Sequence, residues 1–125
     1  MAKRSRFMED FLPKYNIGGN MEEYINRKGS EAKEFLLKKA KDKKATYYSE
    51  VMEEIHTSRR WIGSILIQVA SLCHENNEPI LSSLVEHKKK NGGIGEGYEY
   101  VVTHFGARQN YKEEQKKCFL HWENR

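Results

Sequence analysis

The sequence predicts a small α+β fold, three helices followed by a β-hairpin, and three observations predict it. The chain has 125 residues, the size of one domain. Trp61, Ile62, Ile65, Leu66, Val69, Leu72 and Cys73 recur in steps of three and four, the period of a buried helix face. Further on, Ile80–His87 and Tyr98–Thr103 are rich in β-formers. They flank Lys88-Lys89-Lys90-Asn91-Gly92-Gly93-Ile94-Gly95-Glu96-Gly97, a basic glycine-rich segment suited to a tight reversal.

Residues 1–30 read as a basic N-terminal arm. It opens on Lys3-Arg4-Ser5-Arg6, carries the apolar residues Phe7, Met8, Phe11 and Leu12, and reaches a short helical stretch at Met21–Arg27. Residues 31–103 form the expected domain. Ser30, with Glu31 and Glu34 behind it, has the chemistry of a helix start, so a first helix is expected over 31–43. Thr46-Tyr47 is a short extended pairing position. Ser49 caps a brief second helix, Glu50–Ile55. Thr57 or Ser58 caps the long third helix, 58–75. Gly63 interrupts that helix at a propensity cost of about 1 kcal/mol, which a closely passing backbone would explain. Asn76-Asn77-Glu78-Pro79 ends it, and the two strands of the hairpin follow. Residues 104–125 form a tail whose helix, Tyr111–Trp122, docks through Phe119 and Trp122.

Charge and composition narrow the function classes. Lys and Arg number 22 against 18 Asp and Glu, a formal net charge of +4, so a polyanion is a natural partner. No apolar run is long enough for a membrane span, and the basic start leads into no signal-peptide core, so a cytoplasmic protein without membrane contact is expected. Cys73 and Cys118 are isolated and read as single buried thiols. The histidines, at 56, 74, 87, 104 and 121, show no ligand spacing, so no metal and no cofactor are expected. Cys73 and His74 are neighbours on one helix and point about 100° apart, too far round to act together. The glycines at 92, 93, 95 and 97 lead from one strand to another rather than to a helix, which is the wrong context for cradling phosphate. No catalytic constellation emerges.

The order of elements resembles a winged helix-turn-helix, with the hairpin tip as the wing. In DNA-binding members the third helix enters the major groove and the wing reaches the adjacent backbone or minor groove. A finer resemblance covers about residues 46–100. Thr46-Tyr47-Tyr48-Ser49-Glu50-Val51, then Arg59-Arg60-Trp61-Ile62-Gly63-Ser64-Ile65-Leu66, then Pro79-Ile80-Leu81 and Gly92-Gly93-Ile94-Gly95-Glu96-Gly97-Tyr98 are similar to the DNA-binding domain of alkylguanine-DNA alkyltransferases and alkyltransferase-like proteins. That family carries an R-x-V-G motif with a base-stack-filling arginine and a P-I-x-I-P-C-H-R motif with the reactive cysteine. Here Ser82-Ser83-Leu84-Val85-Glu86 follows Pro79-Ile80-Leu81, so Leu84 stands at the cysteine position and Val85 at the histidine position. Alkyl transfer needs an activated thiolate, and that chemistry does not carry over. The hairpin segment also resembles small bacterial and phage proteins sometimes found beside nuclease domains.

Together these readings lead to a non-catalytic protein that binds double-stranded DNA, with a regulatory role. Thr57, Ser58, Arg59 and Arg60 are the expected base-reading group at the start of the third helix. Arg59 and Arg60 stand where the helix dipole disfavours cations, a local cost that suggests a use. Lys88, Lys89 and Lys90 on the wing, with Lys3, Arg4 and Arg6 on the arm, are the expected phosphate contacts. The wing lysines are equally a solvated hairpin tip that blocks edge pairing. Trp61, Tyr98 and Tyr100 read as core and cross-strand packing. Two rivals stand beside this: a protein-binding winged helix, such as a phage inhibitor or defence-system subunit, and an inactive alkyltransferase-like sensor with an open pocket behind the third helix. The helix-turn-helix habit of binding palindromes leaves a homodimer open.

Overall fold

The computed structural model of the protein describes residues 19–88 and 97–123. The first helix, α1, spans Gly19–Lys41, and its inward residues are Ile25, Gly29, Ala32, Leu36 and Ala40. Their steps of four and three make one continuous stripe. The first helix therefore begins twelve residues before the expected 31, and the arm boundary at 30 falls inside it. Ser30 is an exposed interior residue, not a cap. Gly29-Ser30 has the look of a break, yet the glycine is there for contact. A Cβ at Gly29 would stand 2.6 Å from Cγ of Gln68, so its missing side chain lets two helices close on each other. Glu22 in the first turn and Lys38, Lys39 and Lys41 in the last suit the helix dipole.

A two-residue strand, β1 (Thr46–Tyr47), leads into α2 (Tyr48–Ile55), the turn His56–Ser58 and the long α3 (Arg59–Glu75). The expected short extended position, the brief second helix and the long third helix are all present, α2 starting two residues earlier than expected. Glu50, not Ser49, secures the start of α2: its Oε1 accepts from Thr46 Oγ1 at 3.0 Å and from the Tyr47 N–H at 3.2 Å. His56 in the left-handed region closes the helix, and Lys28 of α1 donates to the Ile55 carbonyl at its C-terminal end. From Ile62 to Cys73, α3 is buried almost all round and forms the central element, with α1 on one side.

The expected hairpin is where the structure departs from the sequence reading. Leu81–Leu84 is a 3-10 turn, and only Val85–Glu86 is extended, as β2. β2 pairs with β1 in parallel, Thr46 opposite Val85 and Tyr47 opposite Glu86. The segment expected as the second strand is a helix, α4 (Gly97–Phe105). No antiparallel hairpin exists among the described residues. Both departures have physical causes. Every residue from Ile80 to Val85 is buried, so no alternation between core and solvent exists to favour a strand. Ser83 Oγ donates to the Ile80 carbonyl at 2.8 Å and Ser82 Oγ to the Leu66 carbonyl, giving the backbone the local alternative that serine offers. In α4, Tyr98, Val101 and Phe105 fall on one buried helical face, and that packing overrides the β-propensity of Tyr, Val and Thr. Tyr98 and Tyr100 are therefore helical rather than cross-strand residues.

The last helix, α5 (Tyr111–Trp122), matches its expected range and packs on α1 and the 3-10 turn. Trp122 is buried and Phe119 half-buried, as the docking of the tail requires. The architecture is thus five helices and a two-strand parallel ladder among the described residues. No described helix is long and apolar enough to cross a membrane.

Candidate nucleic-acid interface

The turn before α3 and the first turn of α3 meet the N-terminal half of α1. Tyr24 joins them: its hydroxyl is 2.8 Å from Thr57 Oγ1, and its ring stands edge-on to Trp61 at 6.2 Å between centroids. Trp61, expected as core, is only half-buried and forms the edge of the core beside Tyr24. Each ring carries a guanidinium. Arg60 Cζ is 4.8 Å from the centre of the Trp61 ring and Arg27 Cζ 5.7 Å from that of Tyr24. Ser58 occupies the cap position of α3, but its side chain makes no cap hydrogen bond, so first-turn N–H groups are left for solvent or a ligand.

Arg59 and Arg60 are both exposed, and no carboxylate pairs with either among the described residues. The first turn of α3 carries no acidic residue. Two cations therefore stand at the positive end of a helix dipole without local compensation. Anionic groups lie elsewhere: Glu50, Glu53 and Glu54 line a polar groove with Lys39 and His56 along α2.

On the other side of α3 lies a narrow, largely apolar cleft with a free volume of about 40 Å³. α3 contributes Gly63, Leu66 and Ile67, and α4 contributes Gly97, Tyr98 and Val101. Tyr48 and Ser82 complete it. Arg59 precedes Gly63 by four residues and so shares the helix face that borders the cleft. Gly63 does not admit a passing backbone: nothing described lies within 4 Å of where its Cβ would be. It keeps the cleft mouth open instead. Tyr48 stacks on His87 at 4.8 Å, and the next residue, Lys88, holds its Nζ 5.8 Å from the exposed Tyr47 ring. Lys88 thus emerges beside Tyr47, at the start of α2.

Of the residues expected from sequence, Thr57, Ser58, Arg59 and Arg60 are gathered at the start of α3, and Lys88 follows β2. Lys3, Arg4, Arg6, Lys89 and Lys90 lie outside the described residues. Tyr24 and Arg27 went unforeseen because residues 19–30 read as arm. The signal for them was the apolar step from Ile25 through Gly29 to Ala32, hidden by reading Ser30 as the start of the first helix.

Neither described cysteine is placed as an accessible nucleophile. Burial pushes the Cys73 thiol up to about 12 and raises Cys118 as well, and both are free and buried. Leu84 is fully buried in the 3-10 turn. No cluster of histidine, cysteine or carboxylate side chains suited to a metal ion occurs among the described residues. Comparison of the chain with protein-family models, with curated proteins and with solved structures gives no match.

Proposed function

We propose that the protein binds duplex DNA without catalysis, presenting the start of α3 to the nucleic acid and Lys88, with the lysines after it, to the backbone. The reading is carried by one observation: Arg59 and Arg60 are exposed, meet no carboxylate among the described residues and stand where the helix dipole disfavours them. Guanidinium forks bind phosphate and guanine edges bidentately, and a helix N-terminus with free N–H groups adds to the attraction for anions. Lys88, exposed after β2, would supply a second point of contact. The absence of acidic residues from the first turn of α3 favours a polyanion over a protein partner for this face.

The test is an electrophoretic shift with a random-sequence duplex at two salt concentrations. Binding is expected to weaken steeply with salt. Arg59→Ala with Arg60→Ala is expected to lower affinity by about a hundredfold, as the loss of two charge-assisted contacts implies. A wild-type protein that fails to shift the duplex at low salt overturns the proposal.

The cleft behind α3 bears on a second reading, an inactive alkyltransferase-like sensor, but its free volume of about 40 Å³ would have to widen before a displaced base could enter. Tighter binding to a duplex bearing an alkylated guanine than to its intact control supports it, and equal affinity excludes it.

A further inference from the structure

We infer that Arg27 of α1 and Arg60 of α3 form a second backbone-binding element, a pair of phosphate clamps mounted on the Tyr24–Trp61 rings. This inference rests on the duplex-binding reading and extends it to a helix that the reading does not include. It also divides the arginine pair: Arg60 serves the backbone, and Arg59 is left as the residue that approaches base edges.

Three observations carry it. First, both guanidiniums lie over rings that meet each other, so α1 and α3 present one continuous surface of cation, ring, ring and cation. Second, Arg27 leaves its carboxylate neighbours unused. Glu23 and Glu31 stand four residues to either side of it, the spacing at which a helical ion pair forms, yet neither pairs with Arg27. Glu31 is taken by Lys28 at 3.5 Å, and Arg27 rests on Tyr24 instead. Third, the rings are fixed. Tyr24 is held by Thr57 through its hydroxyl, and both rings are packed against the core. A planar fork laid on a fixed ring loses little further freedom when it grips a phosphate, which is what separates a built contact from a mobile surface charge. A second cation at the same ring, Lys28, holds its ammonium 5.9 Å from the Tyr24 centroid but is committed to the Ile55 carbonyl and Glu31, so it belongs to the scaffold.

The geometry predicts a specific pattern across variants of the full chain, read as the salt dependence of binding to a random-sequence duplex. Arg27→Ala is expected to weaken binding about tenfold at low salt. It should also reduce the salt slope by about one, equally for every duplex sequence. Arg27→Lys keeps the charge without the fork, so it should restore the slope but only part of the affinity. Trp61→Leu retains an apolar residue at the edge of the core and removes the seat of Arg60; it should weaken binding to all sequences alike. Arg27 is exposed, and an unchanged thermal midpoint for its variants confirms that folding is not the cause. If wild type binds and the double Arg59/Arg60 variant is weakened while Arg27→Ala matches wild type in affinity and slope, the clamp is overturned and the duplex reading survives. If wild type does not bind, both fall.

Discussion

Two regions of the molecule treat polar groups in opposite ways. In the seam between α5 and the 3-10 turn, every polar group serves the fold. Glu114 is buried, yet its Oε2 accepts from the Ile80 N–H at 2.8 Å and its Oε1 from the Arg108 N–H at 2.9 Å. Beside it, Gln115 donates to the Ser83 carbonyl at 2.8 Å and to Glu86 at 2.7 Å. At the start of α3 the situation is reversed: Arg59, Arg60 and Arg27 are exposed and meet no carboxylate among the described residues. The contrast teaches how to separate structural charge from available charge. A buried group must be satisfied internally or the fold loses several kcal/mol, whereas an exposed cation set against a helix dipole gives the fold nothing.

The largest expected effect is in the seam. Glu114→Ala leaves the Ile80 and Arg108 N–H groups without their acceptor, and a loss of about 3 kcal/mol or more is expected from stranding two donors and a buried site. Urea denaturation measures it, and a loss under 1 kcal/mol would erase the distinction drawn between the regions. Next comes a pair of glycines. Gly29→Ala forces a Cβ into the Gln68 side chain, so a loss of about 1–3 kcal/mol is expected despite the gain in helix propensity. Gly63→Ala meets open space and should stabilise by up to about 1 kcal/mol. Thermal midpoints moving in the same direction would show that the two sites do not differ as described.

At the basic corner the sign itself is the prediction. Arg59→Glu should stabilise the fold by roughly 0.3–1 kcal/mol, because a carboxylate suits the first turn of α3, while duplex binding falls. A variant that is both less stable and equally tight would reverse the comparison. The smallest effect concerns Glu50. The hydrogen bond from Thr46 Oγ1, assisted by the Tyr47 N–H, holds its carboxyl below the usual carboxylate range against the opposing effect of burial. Because the folded value is depressed, this contribution to stability is present above the ordinary carboxylate range and fades as pH falls through the lowered value. Thr46→Val should raise the Glu50 titration midpoint followed by NMR, and an unchanged midpoint would remove the hydrogen bond as its cause.

Much of the centre was legible in the sequence. The stripe from Trp61 to Cys73 locates α3, and the docking of the tail follows from Phe119 and Trp122. Arg59 and Arg60 stand out because they contradict a local rule, and their exposure agrees with that reading. The errors arose where local preference and packing disagree. Ser30 has cap chemistry, but Gly29 lets α1 run unbroken against Gln68. Tyr98–Thr103 has strand chemistry, but Tyr98, Val101 and Phe105 fall on one helical face and are buried together. Ile80–Val85 has strand-forming residues at both ends, but all six of its residues are buried. Nothing in a linear pattern reports that Tyr24, outside the expected domain, would hold the rings on which two guanidiniums rest.

The ladder of β1 and β2 has only two rungs, and its strands run the same way. A parallel pair needs a long excursion between its strands, and here that excursion is the whole of α2, α3 and the 3-10 turn. Neither rung can close until those elements have settled, because the entropy of closing so long a loop is repaid only by contacts the elements have already made. The amides of this short seam therefore act as a clasp fastened late in folding, and it is from this clasp that Lys88 departs.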